Sequence, residues 1–445
     1  MERLLLKNRK KSTPKETIRK ADKLVGRNVG ILKNCYELRM EPDDFGMYSY
    51  YPDLTNTSHF SRLKCPSEEG SGSINREKSK AAAIGEALER YCGSIYRPEE
   101  FVFNSYRETR KEAIDVQDLI LYSETQYKEP RFNLKRPSDE TKISWTWGYS
   151  LIKKKPVLVP SCLLFLPYKG RNEEPSFVET VSTGAACGNT IEEAILSGIY
   201  EVVERDAFMI WWLNKLKMPR IDLSTGDKFI LRMIERIYYT DLELYVLDIT
   251  TDIKIPSFVA LIRGKSEPFL VCGARADLDP QLGMLQAVEE ALQTRAWAKQ
   301  LAKKNPDYRY MENFSNIANF REHVLLYAKI DLWPKLDFII NSAPSLKIND
   351  IPDKSSPNIL ENIKTCLKKF SEKGKDVVIV NITSEDIATV GFYVVKVIIP
   401  GMQPLNANYR YRHLGGERLK EVPKTLGYAD YSYGHELNKY PHPFP

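Results

Sequence analysis

At 445 residues with 42% hydrophobic side chains, the chain is long enough to bury one large core or two ordinary ones. Its 65 basic and 59 acidic residues leave a net charge of +6 with the signs mixed throughout, which permits a phosphorylated ligand but lacks the concentrated basic face that nucleic acid requires. Seven cysteines (35, 65, 92, 162, 187, 272 and 366) without a Cys-x-x-Cys pair speak against structural zinc and disulfides, and the longest apolar run, Ala207 to Leu213, is far short of the roughly 20 residues that span a bilayer.

Ser12-Thr13-Pro14 ahead of Lys15-Glu16-Thr17-Ile18 predicts a capped helix start with proline in the first turn. Met1 to Lys11 holds too few leucines for a signal-peptide core, so a cytoplasmic protein is expected, with neither nucleic acid nor membrane as a partner. Residues 41–75, rich in Tyr, Pro, Ser, Asn and Gly, predict loops with short strands. REKSKAAAIGEALERYCG predicts a helix from about Asn75 to Tyr96, and Ser144–Tyr149 and Pro156–Pro160 read as strands. A long helix follows from Thr190 to about Lys215, then strands at Leu242–Ile249, Ser257–Ile262 and Phe269–Val271, and a helix from Pro280 to about Leu301. A Lys-rich helix, Ile359–Lys373, precedes strands at Asp376–Ile382 and Gly391–Ile399, so the fold class is mixed α/β, of the α+β kind.

Two of these helices carry the same pattern near their ends: GEALER (85–90) and YEVVER (200–205), with VEEALQTR (288–295) as a weaker relative. The Gly/Ser/Thr-rich turns upstream of the first two favour an internal duplication of a helix-plus-sheet half over chance, although Glu and Arg are common helix formers. Glu86, Glu89 and Arg90 stand at i, i+3 and i+4 and share one helical face. At about 100° per residue, Glu193, Glu201 and Glu204 fall within roughly 80° of arc, with Arg205 at its edge and Asn189 just before the helix.

Apolar residues surround both sets, so five carboxylates with two arginines leave negative charge that must be offset. A hard cation such as Mg2+ held together with a triphosphate would do so, with Asn189 as a neutral oxygen ligand. Two plainer readings stand beside this one. Thr190-x-x-Glu193 is also a capping box, so Glu193 is equally well explained as structural, and a single Glu-x-x-Glu-Arg is more often a solvated, salt-bridged face. The chain has no G-x-x-x-x-G-K-[ST] and no G-x-G-x-x-G; the turns that offer backbone amides to phosphate are Gly70-Ser71-Gly72-Ser73 and Ser182-Thr183-Gly184.

Taken together, SKAAAIGEALERY (79–91), STGAACGNTIEEAILSGIYEVVERDA (182–207) and GARADLDPQLGMLQAVEEALQTR (273–295) resemble the YcaO family, with weaker similarity at REHVLLYA (321–328) and VVKVIIPGMQPL (394–405). The resemblance covers roughly residues 60–445 and implies a YcaO-type ATP-binding fold, in which carboxylates hold Mg2+ around the nucleotide phosphates. Carried onto matching positions, it makes Glu86, Glu89, Glu193, Glu201 and Glu204 the Mg2+ set. Lys15, Arg90, Asn189, Glu193, Arg205 and Glu290 become the ATP-contacting set. Many members have Ser at Ala82, Gly-Lys-Gly at Gly72-Ser73 and a basic residue at Gln286, which weakens single nucleotide contacts rather than the family assignment.

The ending PHPFP, with Pro441, Pro443 and Pro445, resembles azoline-forming members, in which the tail enters the active site. Alternating proline also makes a stiff strand that loses little entropy on docking, against the plainer reading of a frayed end. These three prolines are therefore the catalytic candidates, with the Pro445 carboxylate or a nearby group as base. The resemblance divides the chain into an N-terminal segment (1–60), a catalytic domain (61–425) and a tail (426–445). It implies conversion of Cys, Ser or Thr of a ribosomally made precursor peptide to thiazoline or oxazoline. The side chain attacks the preceding carbonyl, ATP phosphorylates the amide oxygen, and phosphate leaves. A leader-peptide-recognising partner protein, ThiF-like or related, and a homodimer are expected. Thioamide or macroamidine formation on the same ATP site, or a non-catalytic ATP-binding maturation factor, are the alternatives.

Overall fold

A computed structural model describes residues 6–39, 45–61, 63–65, 70–226, 228–428 and 436–445. Four helices matter for the site. α1 (Pro14–Ala21) opens on a full capping box, in which Thr13 and Glu16 satisfy each other's backbone amides. α2 (Arg76–Gly93) is capped by the Asn75 side chain, which accepts from the Lys78 amide, and α3 (Ile191–Asn214) by Thr190 in the same way from Glu193. α4 (Pro280–Lys304) starts with proline in its first turn behind an Asp279 cap.

The strands form three sheets. β1 (Leu32–Leu38), β2 (Tyr48–Leu54) and β3 (Ser71–Ser73) make a small antiparallel sheet. β4 (Val102–Ser105), β5 (Lys142–Ser150), β6 (Lys155–Pro160) and β7 (Ala185–Gly188) belong to a second. The third is built from β8 (Pro219–Asp222), β9 (Leu242–Asp248), β10 (Ser257–Gly264), β11 (Leu270–Ala276) and β12 (Ala343–Lys347). Finally β13 (Val378–Asn381) and β14 (Tyr393–Ile398) return to complete the second sheet in the order β4-β5-β13-β14-β7, with β6 beside β5. The third sheet runs β11-β10-β9-β8-β12, antiparallel apart from the parallel β8–β12 pair.

α3 is the spine of the molecule. It packs on β7 and β14 from one side and on β10 and β11 from the other, while α4 lies across β10 and β11. Every residue from Asp206 to Asn214 is buried, which is why this helix is hydrophobic all round at its C-terminal end. A further helix, Arg418–Thr425, is fastened to the spine by Arg418. Its guanidinium donates to both oxygens of the fully buried Asp206 at 2.6 and 2.7 Å and to Asp252 at 2.8 Å.

Two expectations are revised here. Ser71–Ser73 is not an open amide turn but a strand paired with β2, and it is further tied down from α4, where Gln293 donates to the Gly70 carbonyl at 2.7 Å. Helices at Lys228–Tyr238 and Phe320–Lys329 arise where the sequence pattern predicts none. Residues 429–435 of the expected tail segment lie outside the described residues. Among the described residues, no helix is long and apolar enough to cross a membrane, and the seven cysteines form no disulfide.

Candidate active site

The polar residues of α3 that face away from its packed side form a partly exposed row. Glu193, Glu201 and Arg205 keep some solvent contact, while Glu204 is only 2% exposed. At 1.5 Å per residue, Glu193 and Glu204 are roughly 16 Å apart along the axis, so they share a face without meeting at a point. Arg205 lies 3.6 Å from Glu201 and 3.3 Å from Glu204. Burial pushes the Glu204 carboxyl up to about 8, with Glu290 and Glu201 adding to the rise and Arg205 and Arg275 opposing it. Burial likewise raises Glu290.

The other carboxylates are oriented by backbone amides of the strands beside them. Cys187 on β7 donates its N–H to Glu89 at 2.7 Å, and Ala274 on β11 donates to Glu290 at 2.8 Å. Gly184 does the same to Glu201 at 3.2 Å. Two glycines permit the close approach of strand to helix: a Cβ on Gly188 would stand 2.8 Å from the Glu193 Cβ, and one on Gly273 2.7 Å from the Glu290 Cβ. Glu86 is 3.5 Å from Arg90 on α2.

Lys396, on β14 between the α2 and α3 sets, is 4% exposed and donates to the Val181 carbonyl at 2.7 Å. Burial lowers its pKa to about 7, with Glu201 and Glu89 pulling it back up and Arg90 adding to the fall. Sequence reasoning missed this residue, although a lone charge in the apolar run VVKVII was the available signal.

The N-terminal segment reaches the start of α3. Ser12 and Asn189 both donate backbone N–H groups to Glu193, at 2.5 and 2.8 Å, and the Asn189 amide donates to Thr17 at 2.7 Å. Lys15, expected to contact phosphate, is 77% exposed and sits 3.6 Å from Glu77. Lys11 is the lysine that faces the cluster. It retains exposed surface, and burial together with Arg275 lowers its pKa against the pull of Asp277 and Glu193.

Buried polar atoms without hydrogen-bond partners among the described residues include Asn189 Oδ1, Arg205 Nε and Nη1, and Arg275 Nε. Unpartnered guanidinium donors fit an anion, and raised carboxyls that offer only oxygen fit a hard cation. Among the described residues, no three acidic, His or Cys side chains converge tightly enough to hold a metal ion alone. Mg2+ needs no such cage, since it takes one or two carboxylates and fills its shell with phosphate oxygens and water.

The chain end is docked against this row. The Pro441 carbonyl accepts from Tyr327 Oη at 2.6 Å, the His442 carbonyl is 2.7 Å from His323 Nδ1, and His442 Nε2 is 2.8 Å from the Asn406 carbonyl. Pro441 to Phe444 are all buried and Pro445 is half-buried. The Phe444 ring lies under the Arg205 guanidinium, 4.0 Å from centroid to carbon. The structure thus brings together Glu201, Glu204, Arg205, Glu290 and the tail, and sets Lys15 apart.

Residues 70–403 match the family described as YcaO cyclodehydratase, ATP- and Mg2+-binding. An uncharacterised protein of Methanothermobacter thermautotrophicus strain Delta H is 26% identical over 357 residues, covering 77% of this chain and 85% of that one. A heterocyclase solved in complex with substrate and cofactor superposes with a TM-score of 0.83 at 26% identity, covering all of this chain and 59% of its own. The YcaO protein of Methanopyrus kandleri, solved with AMPPCP and Mg2+, gives 0.62 at 18% identity, over 88% of this chain and 92% of its own.

Proposed function

The chain belongs to the YcaO family, and from that premise we propose that it is an ATP- and Mg2+-dependent cyclodehydratase that turns Cys, Ser or Thr of a precursor peptide into thiazoline or oxazoline. The observation that carries this reading is the docked chain end, whose Phe444 ring lies against Arg205 and joins the tail to the carboxylate row. The likeness of the whole chain to a heterocyclase supports it. When bound, ATP with Mg2+ supplies a phosphoryl group that converts the amide oxygen, a very poor leaving group, into a good one.

The chain's own residues bind and orient. Arg205 and Arg275 offer N–H groups to anionic oxygens, while Glu86, Glu89, Glu201 and Glu204 supply oxygen ligands along a row long enough for an extended polyanion. Glu290, fixed by the Ala274 amide, closes the row from α4. Glu193 serves chiefly as a tie: its two accepted amides hold residues 12 and 189 in place beside Lys11. Pro441, Pro443 and Pro445 shape the reaction site and keep water from it. In this reading the catalytic domain is 61–425, the segment 1–60 contributes Lys11, and a separate leader-recognising protein delivers the peptide.

The test is incubation with ATP, Mg2+ and a Cys/Ser/Thr-containing precursor whose backbone amides carry heavy oxygen. Mass spectrometry should show loss of one water per ring and transfer of the label into released phosphate. Exchange of oxygen for sulfur would replace this reading with thioamide formation, and ATP binding without any change in peptide mass would replace it with a maturation factor.

A further inference from the structure

We infer that Phe444 is a positioning residue for Arg205, so that tail docking and the competence of the phosphate-binding row are a single event. The inference rests on the reading of Arg205 as a nucleotide-site residue. The two carboxylates beside Arg205 do not fix it, because contacts of 3.3 and 3.6 Å are longer than the roughly 2.7–2.9 Å of a charge-assisted hydrogen bond. Its Nε and Nη1 have no hydrogen-bond partner among the described residues. The close contact is with the ring: the guanidinium carbon stands 4.0 Å from the Phe444 centroid, well inside the range of a cation–π interaction.

The ring is itself held rigidly. Phe444 is fully buried and meets Phe208 edge-on at 4.8 Å, and Phe208 follows Arg205 by three positions on the same face of α3. Just upstream, His442 stacks on His323 with centroids 3.9 Å apart, and Tyr327 holds the Pro441 carbonyl. An aromatic face against one side of the guanidinium excludes water there and leaves its N–H groups to act in the plane, toward the cleft. Loss of the ring lets Arg205 hydrate and change rotamer, and the pre-set donor geometry goes with it.

The experiment is isothermal titration of Mg·ATP into the full chain, with thermal unfolding recorded on the same samples. Phe444→Leu should weaken binding about tenfold, and the change should vanish in an Arg205→Gln background. Fluorinated phenylalanines placed at 444 keep the shape of the ring and weaken its face, so affinity should fall stepwise with each fluorine; they also serve if the leucine variant does not fold. Parental affinity in Phe444→Leu overturns the inference. So does a fully fluorinated ring that binds like the parent, which would make the contact one of packing alone. Arg205→Gln without any loss of affinity would overturn the nucleotide-site reading itself, whereas a loss there with none in Phe444→Leu removes only the role of the ring.

Discussion

Replacing Glu204 by Gln should abolish a proton release that accompanies Mg·ATP binding. Burial, reinforced by Glu290 and Glu201, raises this carboxyl to about 8 against the pull of Arg205 and Arg275. Because the value is raised above that of the unfolded chain, the folded protein holds a proton that the unfolded one has lost. The stabilising contribution is therefore complete below about pH 4.5 and is lost as pH rises through about 8. A cation drawn to the row needs the ionised form. Near neutral pH the group therefore holds its proton in the free protein, so binding should expel a large fraction of a proton, and affinity should climb as pH rises toward that value. Titration calorimetry with excess Mg2+, in two buffers of different ionisation enthalpy, reads this release directly. In Glu204→Gln, affinity should drop at least tenfold and the release should approach zero. An unchanged release in the variant, or a parental affinity that is flat between about pH 6.5 and 8.5, would refute the reasoning.

Lys396→Met should change how stability depends on pH. Its folded pKa is lowered to about 7, so the parent gains on the variant as pH rises from about 7 toward 10.5, by a few kcal/mol at most, which denaturant unfolding of the nucleotide-free protein at several pH values would show. Tyr327→Phe leaves the buried Pro441 carbonyl without its donor, and should cost about 1–3 kcal/mol of stability while slowing ring formation far more steeply; equal small losses in both would make the tail merely structural. Glu193→Gln should lower the melting temperature more than the Mg·ATP affinity, since Glu193 accepts two backbone amides. The reverse order would make it a ligand. Addition of a leader-binding partner should accelerate processing of the full precursor, measured by mass spectrometry, and equal rates with and without it would rule that partner out.

The long helices were legible in the sequence because their caps and apolar periodicity agree, and their ends fall within a few residues of expectation at Arg76–Gly93, Ile191–Asn214 and Pro280–Lys304. Lys228–Tyr238 escaped notice although its apolar residues are helically spaced, because Phe, Ile and Tyr within it read as strand formers. At the site, helical spacing alone placed Glu201, Glu204 and Arg205 on one face. Lys11, Arg275 and Lys396 were not legible, since each reaches the row from a separate segment or strand whose place is set by sheet pairing. Lys15 rests on the family likeness alone, and local sequence offers no means of telling which of the lysines around it stands near the acids.

The arrangement of the acids answers a question that helical periodicity leaves open, namely how several carboxylates can stand together without a cation between every pair. Glu89, Glu201 and Glu290 each accept a backbone N–H, from Cys187, Gly184 and Ala274 respectively, and Glu193 accepts two. An amide orients a carboxylate through one hydrogen bond yet brings no full positive charge, so the row is fixed in place while staying electron-rich. A lysine or arginine at each of those positions would have made the folded protein more comfortable and the site less able to attract a metal ion. Glu204 is buried beside Arg205 and its proton affinity rises to about 8, and burial raises Glu290 as well in spite of the Ala274 amide. The amides set the geometry and burial sets the titration: an acid as deeply buried as Glu204 or Glu290 keeps its proton more readily, until a cation takes its place.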